Sequence, residues 1–216
     1  MKTILLTGFE PFGGEHSNPS WEAVRRLDGK HLHDGSRIVV ALLPCAFGAA
    51  LDVLGTKIRL FAPDLVVCVG QAGGRADLTI ERVAINVDDA PIPDNAGSQP
   101  IDAAIVADGP AAYFSTLPLK SIVQALRAKG IPASVSQTAG TYVCNHVFYG
   151  LMHLASSRHA IRHAGFVHIP YLPEQAAAHP GAPSMSLNMM VEGLMLLLEI
   201  SVSVKLDSHI SGGSTH

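Results

Sequence analysis

Charge is scarce in this chain and basic charge never clusters: its 216 residues hold 15 Lys and Arg against 18 Asp and Glu, and charged side chains make up only 15%. A net charge of −3 without a basic run leaves no electrostatic footprint for nucleic acid or for an anionic membrane surface. Long apolar runs are also missing, so no transmembrane segment is expected. The opening MKTILLTGFEPFGG confines its apolar core to Ile4, Leu5 and Leu6 before a turn, which suits a first strand and is too short for a signal peptide. Cysteine is the third scarcity. Cys45, Cys68 and Cys144 are odd in number and far apart, which excludes a disulfide framework and fits reduced thiols in the cytoplasm. With no CxxC pair and no HExxH, Cys144, His146 and His153 are weak zinc ligands, and no metal is expected. VGQAGG and GFEPFGG match neither GxGxxG nor GxxxxGK[ST], so no nucleotide cofactor is expected.

What the chain has in quantity is hydrophobic residues, 48% of the total, enough for one substantial core. Short apolar runs over 3–7, 38–43, 65–69, 80–87, 133–137 and 166–169 read as strands. Amphipathic stretches over 21–27, 47–61, 119–129 and 143–155 read as helices between them. This alternation predicts an α/β protein with helices on both faces of a largely parallel sheet. Asn18-Pro19-Ser20 marks a helix start, since Asn caps and Pro fits the first helical position. Residues 88–118 contain five prolines and read as a long irregular crossover. The stretch 187–200 is apolar nearly all round, and burial in the core or against a second subunit are both open to it. A single domain over 1–206 with a flexible tail over 207–216 is expected.

The three cysteines differ in context. Cys68 lies inside the apolar strand LVVCVG, where burial disfavours its anion. Cys45 follows Pro44 at a strand end, where crevice wall and core filler are both open. Cys144 follows the turn residues Ala139, Gly140 and Thr141 at the start of a helix, whose unpaired N–H groups and dipole favour a thiolate. Among 11 histidines, His168 stands apart, because FVHIPYLP sets it in an apolar strand where it needs hydrogen-bond partners. His153, His159 and His163 sit in a surface-like stretch, and His146 is expected to point away from Cys144. Glu81, in LTIERVAIN, is an acid set among apolar residues; orientation of His168 and an edge ion pair with Arg82 are both open to it. Phe9 and Phe12 just past the first strand suit either a wall for a small flat ligand or the core.

Four longer motifs stand in order: GFEPFGGEHSNPSWEAV, VGQAGGRADLTIERVAIN, QTAGTYVCNHVFYGLMH and GFVHIPYLPEQ. With IPDNAGSQP and GPAAYFSTLP they cover nearly the whole chain to about residue 198, and together they closely resemble the type I pyroglutamyl peptidases, or pyrrolidone carboxylate peptidases. The resemblance implies a three-layer α/β/α sandwich with a twisted, mostly parallel central sheet. It implies a cytoplasmic cysteine peptidase, commonly homotetrameric, that removes N-terminal pyroglutamate from peptides without a cofactor. It marks Cys144 as nucleophile, His168 as base and Glu81 as acid, with Phe9, Phe12, Gln71, Tyr142 and Val143 binding substrate. Tyr142 stands where phenylalanine is usual, and Pro91 stands before IPDN where an arginine is usual. Proline offers no donor there, so a weakened enzyme that only binds pyroglutamyl peptides, or a thiol amidase for another small cyclic amide, are the alternatives.

Overall fold

The computed structural model describes residues 2–157 and 161–213. Its main sheet has six strands in the order β2-β1-β3-β8-β4-β7. β1 (Thr3–Phe9), β2 (Arg37–Leu43), β3 (Leu65–Gln71) and β8 (His163–Ile169) are mutually parallel. β4 (Leu78–Glu81) runs antiparallel to β8 and carries β7 (Ala133–Ser136) parallel to itself. The central strands β3 and β8 are covered on both faces, which is why they read as unbroken apolar runs.

Side chains alternate between the two faces. Leu65, Val67 and Val69 of β3 join α1 (Pro19–Val24), α3 (Leu119–Ala128) and α6 (Leu187–Ser203) in one core. Val66 and Cys68 join α2 (Ala49–Phe61) and α4 (Val143–Ser156) in the other. Each fully buried aliphatic side chain in these layers contributes about 1.5–3 kcal/mol. The start of α1 is built as expected: Asn18 Oδ1 accepts from Ser20 N at 3.0 Å, with Pro19 as first helical residue. A 3₁₀ turn over Arg25–Leu27 extends it. The inner face of α6 is buried at Met190, Leu194, Leu197 and Leu198.

The single strand expected over 80–87 is two strands. β4 ends at Glu81 and β5 (Val83–Ile85) pairs instead with β6 (Ala112–Phe114) in a two-stranded ribbon. Arg82 is the point of exchange: its N–H donates to Ser136 O and its C=O accepts from Ser115 N, both at 2.9 Å. A four-residue helix, α5 (Pro173–Ala176), follows β8. Beyond α6 the described residues 204–213 form no helix or strand, but Asp207 bonds to the start of α3 and Arg82 Nη2 to Gly212 O at 2.9 Å. Residues 214–216 of the expected tail lie outside the described residues.

Candidate active site

β1, β3 and β8 finish at one end of the sheet, and the polar groups gather there. His168 is the penultimate residue of β8, and its Nδ1 bonds Glu81 Oε1 at 2.7 Å. Glu81 is 0% and His168 4% exposed. An ionised carboxylate only accepts, so the proton of this bond sits on Nδ1 and the neutral ring keeps Nε2 free as a base. Glu81 Oε1 also accepts from Arg75 Nη1 at 2.6 Å. The edge ion pair with Arg82 does not form, because adjacent strand residues face opposite ways and Arg82 reaches Gly212 instead.

Cys144 is the second residue of α4, and its Sγ is brought onto the same face by the missing side chain of Gly70. A Cβ on Gly70 would lie 2.8 Å from Cys144 Sγ and 2.9 Å from Phe166 Cζ. Gly70 is the Cα partner of His168 in the β3–β8 ladder, so thiol and imidazole stand over neighbouring strands. The Phe166 and His168 rings pack at 4.9 Å.

Burial pushes the Cys144 thiol up, with Cys45 and Glu81 adding and Arg75 opposing. Burial also lowers His168, against the Glu81 hydrogen bond and charge, while Arg75 lowers it further. Burial thus opposes both the thiolate expected at the helix start and the imidazolium, and favours the neutral form of each partner. Cys45 and Cys68, both buried, are pushed up to about 12 by burial and lack such a partner among the described residues.

The expected ligand-facing residues divide. Half-buried Phe12 and Tyr142 lie 6.2 Å apart, and Phe47, which sequence reasoning missed, meets Tyr142 edge-on at 5.5 Å. Tyr142 Oη donates to Pro93 O at 3.1 Å, so the additional hydroxyl is satisfied on the crossover. Phe9 is buried in the core against Phe166 at 6.3 Å. Val143 turns its side chain into the core, leaving its backbone to the site. Gln71 faces away from Cys144 by strand alternation, and its Oε1 accepts from Gln175 Nε2 at 3.1 Å. The suggested zinc set does not assemble. His146 Nδ1 bonds Asp88 Oδ2 at 2.8 Å and its Nε2 accepts from Gly48 N at 3.0 Å. His153 Nδ1 bonds Tyr113 Oη at 2.9 Å, His163 Nδ1 bonds Thr116 O at 2.7 Å, and His159 lies outside the described residues.

The family model for pyroglutamyl peptidase matches residues 2–204. The chain belongs to the pyroglutamyl peptidase family. It is 61% identical to the pyrrolidone-carboxylate peptidase of Cupriavidus taiwanensis and 60% to that of Erwinia tasmaniensis, each covering all of both chains. Its fold matches the crystal structure of pyroglutamyl peptidase I from Bacillus amyloliquefaciens with a TM-score of 0.94 at 49% identity, over 97% of this chain and 99% of that one. A mutant pyrrolidone carboxyl peptidase from Pyrococcus furiosus matches with a TM-score of 0.90 at 41% identity, over 93% and 98%.

Within this family fold, two features stand out. The β1–β3 ladder stops at Thr7–Cys68 while β3–β8 continues to Gln71–Ile169. The divergence has a local cause: Gly8 lets β1 approach α1, where a Cβ would lie 2.8 Å from Ser20 and Trp21 backbone, and Phe9 N turns to Ser20 Oγ at 2.9 Å. The end of β3 thereby loses its neighbour on one edge. The second feature is exposed Pro91, whose loop is fixed on both sides. Asp89 N donates to Thr141 O at 2.9 Å, Thr141 Oγ1 to Asp89 O at 2.7 Å, and Ala90 N to Pro100 O at 2.9 Å.

Proposed function

We propose that the chain removes N-terminal pyroglutamyl residues from peptides and that Cys144, His168 and Glu81 carry the reaction. The observation that bears most weight is the Glu81–His168 hydrogen bond, which leaves Nε2 free on the face where Gly70 admits the Cys144 thiol. As Sγ attacks the carbonyl joining pyroglutamate to the next residue, its proton passes to His168 Nε2, and Glu81 stabilises the imidazolium. Backbone N–H groups at the start of α4, that of Cys144 included, face the developing oxyanion. His168 then protonates the departing amine, leaving a thioester, and in the second half it takes a proton from the water that hydrolyses it.

A lactam is flat, neutral and carries one N–H and one C=O. Phe12 and Tyr142 wall it, and the freed edge of β3 at Gln71 offers main-chain partners for both lactam groups. Carboxylates near Tyr142 are already engaged. Glu10 Oε1 accepts from Cys45 N at 3.0 Å and Asp94 Oδ2 from Phe47 N at 2.7 Å. An ordinary ammonium N-terminus would lose water against the Phe12 and Tyr142 rings, a cost the neutral lactam avoids.

The test compares chromophore release from a pyroglutamyl amide with that from the prolyl and alanyl amides. Turnover of the pyroglutamyl amide alone is expected. Equal turnover of the others would overturn the lactam reading, and binding without turnover would overturn the catalytic one. A cytoplasmic homo-oligomer, tetrameric by family resemblance, belongs to the same reading. It is supported by the open apolar groove that Leu27, Ile131, Val191, Met195 and Leu196 form beside α6. No described helix is long and apolar enough to cross a membrane.

A further inference from the structure

We propose that Arg75 is a positioning residue for the Glu81–His168 pair and ties that pair to the turn that delivers Cys144; the proposal rests on the catalytic reading above. The guanidinium makes three contacts. Nη1 donates to Glu81 Oε1 at 2.6 Å and to Thr79 Oγ1, and Nη2 donates to Thr138 O at 3.0 Å. Thr79 is the Cα partner of His168, and Thr138 opens the segment that leads through Gly140 to Cys144. One planar fork thus spans the strand holding the acid and the turn before the nucleophile.

The carboxylate needs such a clamp. Glu81 loads both of its hydrogen bonds onto Oε1, while buried Oε2 has no partner among the described residues. A carboxylate held by the imidazole alone is free to swing about its last torsion, which is broad. A guanidinium on the same oxygen removes that freedom and compensates a charge that burial would otherwise make costly.

Arg75 and Glu81 support the same geometry but act on His168 with opposite sign. The groups facing the imidazole are Glu81 from β4, Arg75 from the loop before it, Cys144 from α4 and the Phe166 ring. Burial disfavours the imidazolium, Glu81 favours it and Arg75 disfavours it. Arg75 also favours the Cys144 thiolate against the burial that opposes it. An uncharged residue of the same shape would produce neither effect.

The experiment records kcat and kcat/KM against pH on a pyroglutamyl amide for the parent, Arg75→Met, Arg75→Lys and Glu81→Gln. It also follows alkylation of Cys144 by iodoacetamide at neutral pH through the mass of its peptide. For Arg75→Met the expected result is a fall in kcat of about tenfold or more, since misplacement of about 1 Å costs up to about a hundredfold. KM should stay near the parent value, the acidic limb should move to higher pH and alkylation should slow. Glu81→Gln should move the limb the other way. Arg75→Lys keeps the charge without the fork, so its limb should stay with the parent while kcat remains lowered. If Arg75→Met shares the parent's limb and alkylation rate, or folded Arg75→Lys shares its kcat, the proposal is overturned. Alkylation needs no substrate, so a parent that ignores the pyroglutamyl amide would overturn the proposed substrate while leaving this inference to its own readout. Thermal unfolding identifies a misfolded Arg75→Met, in which case Arg75→Lys decides.

Discussion

At the scale of single residues, the half-buried Cys144 thiol becomes a nucleophile as its proton moves to the imidazole, so loss of either group should stop the reaction. Cys144→Ala should abolish turnover of the pyroglutamyl amide. Cys68→Ser should retain it but lower the unfolding midpoint, because a hydroxyl enters a fully buried site at a cost of about 1–3 kcal/mol. Activity surviving in purified Cys144→Ala would dismiss the mechanism. His168→Ala should cost more than Glu81→Gln; converting the triad aspartate of a serine protease to its amide costs about 10⁴-fold, an upper guide for Glu81. Because Glu81 favours the imidazolium, Glu81→Gln should also carry the acidic limb of kcat/KM to lower pH, which a pH series on both variants checks. Cys144, His168 and Glu81 were legible because each interrupts a local pattern: a thiol where helical periodicity begins, and two polar groups in apolar strands. Arg75 left no such trace. It stands in a polar loop, and Arg82, adjacent to Glu81, offered the nearer partner on paper although strand alternation turns it away.

At the scale of elements, the sequence pattern identified the six strands of the main sheet, the helices α1 to α4 and the apolar stretch that forms α6, but not the exchange at Arg82. The stretch IERVAINV contains no mark of where one partner strand gives way to another, since that depends on β6, three residues inside a proline-rich crossover. The same crossover carries the departure at Pro91. Its flanks are anchored by Asp89 to Thr141 and by Pro93 O to Tyr142, so the loop is held against the turn before Cys144. A side chain long enough to reach the substrate carbonyl would add a donor to those of the α4 backbone. Pro91→Arg should therefore raise kcat/KM on the pyroglutamyl amide without loosening selectivity for the ring. One oxyanion donor in a well-studied hydrolase is worth about 3–4 kcal/mol, an upper guide for a loop residue. A stable, folded Pro91→Arg protein with unchanged or lower kcat/KM would dismiss the missing-donor argument.

At the scale of the whole molecule, the chain's end completes a helix formed some eighty residues earlier. α3 begins after Pro118, which has no side chain able to accept from its first N–H groups. Asp207 supplies the acceptor from outside: Lys120 N donates to its Oδ2 at 3.1 Å and Ser121 N to its Oδ1 at 2.8 Å. This link, with Gly212 on Arg82, joins the segment after α6 to α3 and to the residue that follows β4. Composition could not reveal it, because DSHISGG has no periodicity and the capped helix is remote in sequence. Burial opposes the Asp207 carboxylate, but the N–H groups of Ser121 and Lys120 outweigh it and hold its pKa below the ordinary value. The sign follows from linkage. A carboxyl lowered in the folded state contributes stability above its unfolded pKa and loses it as pH falls through the folded one. Asp207→Ala should cost about 0.5–1 kcal/mol, at the low end for a cap because Asp207 is exposed, or about 1–4 °C in Tm for a chain of this size. The gap between parent and variant should be full at pH 7 and close as pH drops below the ordinary aspartate value of 3.8. Turnover should be untouched, since none of the contacts of Asp207 reaches Glu81, His168 or Cys144. Thermal unfolding at pH 7 and in acid, with kcat/KM recorded on both proteins, checks all three parts, and equal Tm values at pH 7 would dismiss the cap.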